Sequence, residues 1–242
     1  MTHYSYAHYA DRDVAEGFDA LRFGGPIGRY LLEQQQTILR DALAPLQGRV
    51  ILDVGTGTGR AALGLAGEGA RVVGLDFSQE MLDVAAARAR QQAAAVSFGR
   101  ADAQALPIAT GSVDAAVCLR LLMHVIDWRR AVAELCRVAR SRVVVDFPSR
   151  ASVAAIESAA RRMKAAMGGT TEAYRVLSLS EVRSAFAEHG FRVVDVKRQF
   201  VLPIAVHKKI GRLGVTRSVE GTLASVGLLR AFGSPVTVVA ER

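Results

Sequence analysis

The sequence predicts an α/β protein whose strands pair in parallel and are covered by helices on both faces. Two features require it. From residue 50 to residue 147, short runs rich in Val, Ile, Leu and Ala alternate with segments of helical period. Those runs are apolar almost throughout rather than at every second residue, as strands buried on both faces must be. A third feature fixes where the chain turns. The run 50–54 passes straight into Gly55-Thr56-Gly57-Thr58-Gly59 and then into a helical segment.

The elements follow in order. A turn-rich stretch, Phe23-Gly24-Gly25-Pro26, separates an N-terminal tail from a helix at about 28–44, whose apolar stripe is Leu31, Ile38, Leu39 and Ala42. A strand at 50–54 leads to a helix at 60–67, and a strand at 71–75 to a helix that Ser78 can cap, with Glu80 in its first turn. Strands follow at 96–98 and 113–119. A helix at 127–139 starts on Asp127, and a fifth strand at 142–147 is stopped by Pro148. Beyond it the rhythm changes. Helices are expected at 151–167, which is basic, and at 178–189, capped by Ser178 or Ser180 and ended by Gly190. Strands at 191–201 and 235–240 enclose an irregular, basic, glycine-containing segment, 203–232. No internal repeat or low-complexity linker divides the chain.

With 242 residues, half of them hydrophobic and 22% charged, one sizeable core is possible, in one large domain or at most two small ones. Cys118 and Cys136 lie within apolar segments and read as buried thiols rather than a disulfide framework. The first residues are polar and aromatic, and no run approaches a membrane span, so the cytoplasm is the expected compartment. Of the net charge of +8, most lies at residues 192–242, where nine Lys or Arg face three Asp or Glu.

The glycine loop is the sharpest signal. Glycines at alternate positions let a ligand lie against bare backbone where strand gives way to helix. A dinucleotide site is one alternative, but its fingerprint is spaced G-x-G-x-x-G. Here the spacing is G-x-G-x-G, with Arg60 where that fingerprint wants a small residue, and Asp53 stands two positions before Gly55. A carboxylate there repels a pyrophosphate and favours a cationic ligand. An ammonium together with a sulfonium fits, which favours S-adenosyl-L-methionine over NAD. Asp76, 21 positions after Gly55, can accept hydrogen bonds from two ribose hydroxyls or simply cap a helix. Asp102 can accept from an adenine amine, with the amide of Ala103 on a ring nitrogen, or can be an ordinary turn residue.

These residues resemble the class I S-adenosylmethionine-dependent methyltransferases, particularly the ubiquinone/menaquinone-biosynthesis type and its small-molecule relatives. The resemblance spans about residues 48–147. Residues 51–59 are similar to the family's first motif, and Leu75-Asp76-Phe77-Ser78-Gln79-Glu80-Met81-Leu82 to the second. Gly99-Arg100-Ala101-Asp102-Ala103 with Leu106-Pro107 is similar to the third, and Ser112-Val113-Asp114 with Leu122–Asp127 to the fourth strand and its loop. The resemblance implies a Rossmann-like sheet of seven strands, mostly parallel, in the order 3-2-1-4-5-7-6 with the last strand antiparallel. It implies a single domain over 1–242: N-terminal helices or lid at 1–47, donor-binding half at 48–147, and acceptor-side half with insertions at 148–242. The cofactor residues it implies are Asp53, Gly55, Thr56, Gly57, Gly59, Asp76, Phe77 packing on adenine, Met81, Asp102, Ala103 and Leu119, with no metal.

The methyl of S-adenosyl-L-methionine is already activated, so alignment supplies most of the rate and a base is optional. His124, just past the fourth strand, is the candidate base; it can equally pack or cap the next helix. Tyr4, Tyr6, His8 and Tyr9 are candidate lid residues. The loop Cys118-Leu119-Arg120-Leu121 lacks the Asn/Asp-Pro-Pro-aromatic pattern of nucleobase-amine methyltransferases, and it lacks the acidic ligands of metal-assisted catechol enzymes. The expected function is methyl transfer to a small organic acceptor at O, C or N. The alternatives are an RNA or modified-nucleoside acceptor and a catalytically silent binding module. The basic stretch 206–217 is a candidate for weak contact with an anionic surface. The oligomeric state is open.

Overall fold

The computed structural model describes residues 11–167 and 174–242. Its helices are α1 (Arg12–Phe23), α2 (Gly25–Leu43), α3 (Arg60–Gly67), α4 (Gln79–Gln91), α5 (Trp128–Val138), α6 (Val153–Ala166), α7 (Leu179–Ala187), α8 (Ile204–Ile210), α9 (Leu213–Ser225) and α10 (Leu228–Phe232). Its strands are β1 (Val50–Val54), β2 (Arg71–Asp76), β3 (Val96–Arg100), β4 (Val113–Cys118), β5 (Ala139–Phe147), β6 (Arg192–Phe200) and β7 (Ser234–Glu241). They form one seven-stranded sheet in the order β3-β2-β1-β4-β5-β7-β6. β1 to β5 pair in parallel, and β7 runs antiparallel to both β5 and β6. This is the topology the resemblance implied. It brings the carboxyl ends of β1 to β6 to one edge, where open α/β sheets bind ligands.

Alternation along each strand divides the core between two faces. Ile51, Ala115, Val117 and Val144 point to one face, beneath Leu39 and Leu43 of α2 and Ala62 and Leu65 of α3. Leu52, Ala116, Cys118, Val143 and Val145 point to the other, beneath α5 and α7. Each large side chain so buried contributes roughly 1.5–3 kcal/mol. The helix starts are fixed by short polar side chains. Ser78 accepts from the Met81 amide at 3.0 Å, and Asp127 accepts from those of Arg129 and Arg130 at 3.1 Å. Ser178, not Ser180, caps α7, in a reciprocal box with Glu181. Cys118 and Cys136 are buried free thiols.

Two expectations are corrected. The segment before residue 23 is not merely a tail: residues 12–23 form α1. Asp11 caps it, accepting from the amides of Asp13 and Val14 at 2.9 and 3.3 Å. Only Ala15 and Phe23 of that helix are fully buried, so its apolar periodicity is too thin to read locally. Segment 203–232 is not irregular either. It folds as α8, α9 and α10, and Gly211, at φ 67°, separates the first two. What holds it is tertiary contact: Ile204 and Leu213 pack on a cluster of Phe23, Ile27, Leu31 and Phe200. α1, the start of α2 and this excursion together cap the edge where β6 ends.

Polar contacts tie the cap down. Lys208 Nζ donates to the terminal carbonyls of α1, Leu21 at 2.7 Å and Arg22 at 2.9 Å. His207, 1% exposed, pairs with Glu220 at 2.8 Å, and Glu220 also accepts from the amides of Val201 and Leu202. Of the basic stretch 206–217, His207 and Lys208 are therefore committed inward and Arg217 lies over Tyr30, while Lys209 and Arg212 are exposed. Tyr4, Tyr6, His8 and Tyr9 lie outside the described residues.

Candidate active site

The glycine loop is shaped by what surrounds it. After β1 the chain turns at Gly55, φ 73°, where the amides of Gly55 and Thr56 both donate to the Leu75 carbonyl at 2.8 and 3.0 Å. A Cβ at Gly55 would come within 2.8 Å of Leu121, so a positive φ and a close approach both demand glycine. Gly57 lines a cleft, and a Cβ there would meet no protein atom within 4 Å; a side chain would take up ligand space instead. The cleft encloses about 1110 Å³, including its open mouth. Every cofactor residue expected from the sequence lines it except Gly59. Gly59 stands behind, where a Cβ would press on Ala85 at 3.0 Å, and serves the packing of α4 against the loop.

Three carboxylates face this cleft. Asp53 is 2% exposed and accepts from the Thr56 hydroxyl at 2.7 Å. Burial pushes its carboxyl up to about 6, with the Thr56 hydrogen bond opposing and the charge of Asp76 adding to the rise. Asp76 accepts from the Gly57 amide at 2.8 Å and the Ser78 amide at 2.9 Å, so it fastens the glycine loop to the start of α4. Burial raises its carboxyl above the usual range too, against those hydrogen bonds. Each oxygen of a carboxylate can take more than one hydrogen bond, so Asp76 retains capacity for a ligand diol. Asp102 accepts from the Gln104 amide at 2.9 Å and stands beside buried Ala103. Phe77 is 39% exposed, with the Arg100 guanidinium 5.1 Å over its ring.

Burial raises the carboxyls of Asp53 and Asp76, so a positively charged ligand in the cleft would be stabilised beside them. The glycine floor, the two acids Asp53 and Asp76, and the Phe77 face fit a ligand with cationic, diol and aromatic parts. S-adenosyl-L-methionine has all three.

Residues without a motif signal complete the site. α1 closes over it: Phe18 lines the cleft, and Asp19 takes the Thr58 hydroxyl at 3.0 Å and the guanidinium groups of Arg60 and Arg88. Arg60 stacks 3.7 Å over Phe23, and burial lowers its guanidinium to about 10. A second cavity of about 1090 Å³ adjoins the first beneath the cap. Gln35 and Arg120 line both. Gln35 falls between Leu31 and Leu39 on the buried stripe of α2, and a polar residue in that stripe was the legible signal. Arg120 sits at φ 60°, a region non-glycine residues rarely adopt, and its amide donates to the Asp146 carboxylate. His124 is buried and lines the first cavity but not the second. No helix among the described residues is long and apolar enough to cross a membrane.

Comparison with known proteins shows what this chain is similar to. A family model described as a methyltransferase domain matches residues 52–145. An O-methyltransferase of Penicillium expansum is 35% identical over 108 residues, which cover 43% of this chain and 39% of that protein. A ubiquinone biosynthesis O-methyltransferase of Thiobacillus denitrificans is 27% identical over 191 residues, covering 76% of this chain and 81% of that protein. The match to the first thus spans less than half of that relative's length. Among solved structures, the geranyl diphosphate C-methyltransferase of Streptomyces coelicolor A3(2), in complex with Mg2+, geranyl diphosphate and S-adenosyl-L-homocysteine, superposes with a TM-score of 0.66. It is 18% identical, and the match covers 88% of this chain and 80% of that one, a likeness of fold.

Proposed function

We propose that this chain is a class I S-adenosylmethionine-dependent methyltransferase that transfers a methyl group from that donor to a small organic acceptor held in the second cavity. The observation that carries the proposal is the junction of the two cavities. One is lined by the buried Asp53 and the half-buried Asp76 and Asp102 around a glycine floor and suits the cationic donor. The other has aromatic and aliphatic walls set with Arg22, Arg120, Asp146, Glu157 and Arg161, and they meet at Gln35 and Arg120.

The residues divide the work. Asp53 and Thr56 face the donor's cationic end, and Asp76 holds its ribose hydroxyls while pinning Gly57. Asp102, Ala103, Phe77 and Met81 enclose its adenine. When bound, the donor supplies a methyl already activated by its positive sulfur. What remains for the protein is to align the acceptor and keep water out. Phe18 and the Asp19 contacts of α1 close one side, and Phe23, Leu31, Phe147 and Phe200 wall the other. His124 then belongs to the donor side, packed against it rather than facing the acceptor. Lys209 and Arg212 would carry any weak contact with an anionic surface.

Formation of S-adenosyl-L-homocysteine from S-adenosyl-L-methionine, measured with small hydroxyl, amine and carbon acceptors, tests the function. Turnover with at least one is expected. A protein that binds the donor but gives no product above the blank with any acceptor would be a silent binding module.

A further inference from the structure

β5 ends in Val145-Asp146-Phe147, where both flanking residues are core and Asp146 itself is 2% exposed. Such a carboxylate inside a strand needs partners. Its Oδ1 takes the Arg120 amide, and among the described residues its Oδ2 takes no hydrogen bond. It lines the second cavity. By strand alternation it shares a sheet face with Asp53, because Asp146 follows Val144 and Asp53 follows Ile51 at two-residue spacing. β4 lies between them and Asp53 is level with Val144, so Asp146 lies two strands across and two residues further along, about 12 Å away. One faces the donor cavity and the other the second cavity, with Arg120 at the border of both.

We propose that Asp146 is the acceptor-side base: a hydroxyl on a flat acceptor donates to its Oδ2 and gives up its proton there. The proposal rests on the methyl-transfer function above and adds the base and the acceptor group. As the acceptor oxygen attacks, the new oxygen–carbon bond forms and the carbon–sulfur bond of the donor breaks, with its electron pair left on sulfur. The hydroxyl proton passes to Asp146, leaving a methyl ether and a neutral thioether.

Arg120 decides between nucleophiles. A guanidinium at the junction disfavours an incoming ammonium and favours an oxygen that gains negative charge. The walls suit a planar body: Phe23, Leu31, Phe147 and Phe200 are all buried around the cavity. Burial holds the Asp146 carboxyl at about 6, with the Arg120 amide and charge opposing, so it is ionised at neutral pH and stronger as a base than an exposed carboxylate. The other charged or titratable groups facing it are Arg22 from α1, Glu157 and Arg161 from α6, and Tyr174; the Cys118 thiol lies behind.

The test uses the full chain and Asp146→Asn, which keeps an oxygen for the Arg120 amide. Calorimetry with S-adenosyl-L-homocysteine is run on both, and turnover is measured with catechol, 2-naphthol and 4-phenylphenol against aniline and benzylamine. The expected result has three parts: product affinity within about threefold of wild type, turnover of a hydroxyl probe about 100-fold lower in the variant, and loss of the acid limb near pH 6 from the wild-type kcat/KM profile. Asp146→Glu should recover part of the rate and restore a limb. Turnover by Asp146→Asn within threefold of wild type, or an unchanged acid limb, overturns the base. A wild type that binds the product yet methylates the amines and no hydroxyl probe, or none of the probes, overturns the acceptor assignment. Failure to bind the product at all would instead remove the donor site, and with it the methyl-transfer function.

Discussion

The two cavities share Gln35 and Arg120 but are built in different ways. The first cavity, the proposed donor site, takes its carboxylates from the ends of three neighbouring parallel strands: Asp53 and Asp76 lie in the last two residues of β1 and β2, and Asp102 two residues past β3. The second cavity draws its walls from α1, α2, the loop after β4, the end of β5, α6 and the start of α8. A site made of consecutive strand ends inherits its geometry from the sheet ladder. A site made of distant segments depends on how a cap docks, and it can change its lining without disturbing the ladder. Under the proposed function, donor chemistry would rest on the sheet ladder and acceptor choice on the segments of the cap.

That contrast is sharpest at Asp76, which both pins the glycine loop and lines the first cavity. Asp76→Asn should weaken S-adenosyl-L-homocysteine binding by about tenfold to a hundredfold, since hydrogen bonds to a charged acceptor contribute roughly 1.5–3 kcal/mol each. Calorimetry on a variant whose circular dichroism matches wild type is the check. An unchanged affinity would reduce Asp76 to a helix and loop anchor.

Next in size is the hinge between cap and ladder. Asp19 on α1 gathers Thr58, Arg60 and Arg88, three residues from the segments that follow β1 and β2. Asp19→Asn should release α1 and raise the product dissociation rate by about threefold to tenfold in stopped-flow fluorescence, because it weakens a partly buried charged cluster. If dissociation is unaltered, α1 is not the cover of the donor cavity.

How much of this was legible follows the same division. The start of the glycine loop, Asp53, Asp76 and Asp102 line one cleft because each lies at or within two residues of the end of its own strand, so spacing and the motif resemblance could place them together. Even Arg60 was visible as a misfit to a dinucleotide fingerprint, although its partner Asp19 was not. α1 was unread because only two of its residues are deeply buried. The helices of 203–232 were unread because glycines break their period and their apolar contacts lie on α1 and α2, nearly two hundred residues away in sequence. Asp146 sat in plain view at the end of an apolar strand. Nothing local distinguishes a carboxylate that faces a cavity from one that ends a strand at the surface. His124 was legible as a position but not as a direction; in the fold it lines the first cavity and not the second.

His124→Ala probes that direction with a smaller effect. Placed on the donor side, its loss should raise the product dissociation constant by about twofold to fivefold and leave kcat within about threefold. A kcat loss of about 100-fold with unchanged binding would return the base to His124.

The smallest expected effect is on stability. The Asp53 carboxyl sits at about 6 in the folded chain against an ordinary value of 3.8, so the folded state holds the proton more tightly than the unfolded state. Stability from this group is greatest below the unfolded value, falls as pH rises through about 6, and stays low above it. Asp53→Asn imitates the protonated form. It should raise Tm by about 2–4 °C at about pH 7.5 and by less at about pH 5. A gain equal at both values would show that the charge of Asp53 costs the fold nothing.

One measurement bears most directly on the donor site: calorimetric titration of the wild-type chain with S-adenosyl-L-methionine, S-adenosyl-L-homocysteine and NAD under the same conditions. Saturable one-site binding of the first two, with no detectable heat from NAD, is predicted by the carboxylates around an alternate-glycine floor. Tighter binding of NAD than of S-adenosyl-L-homocysteine would contradict it.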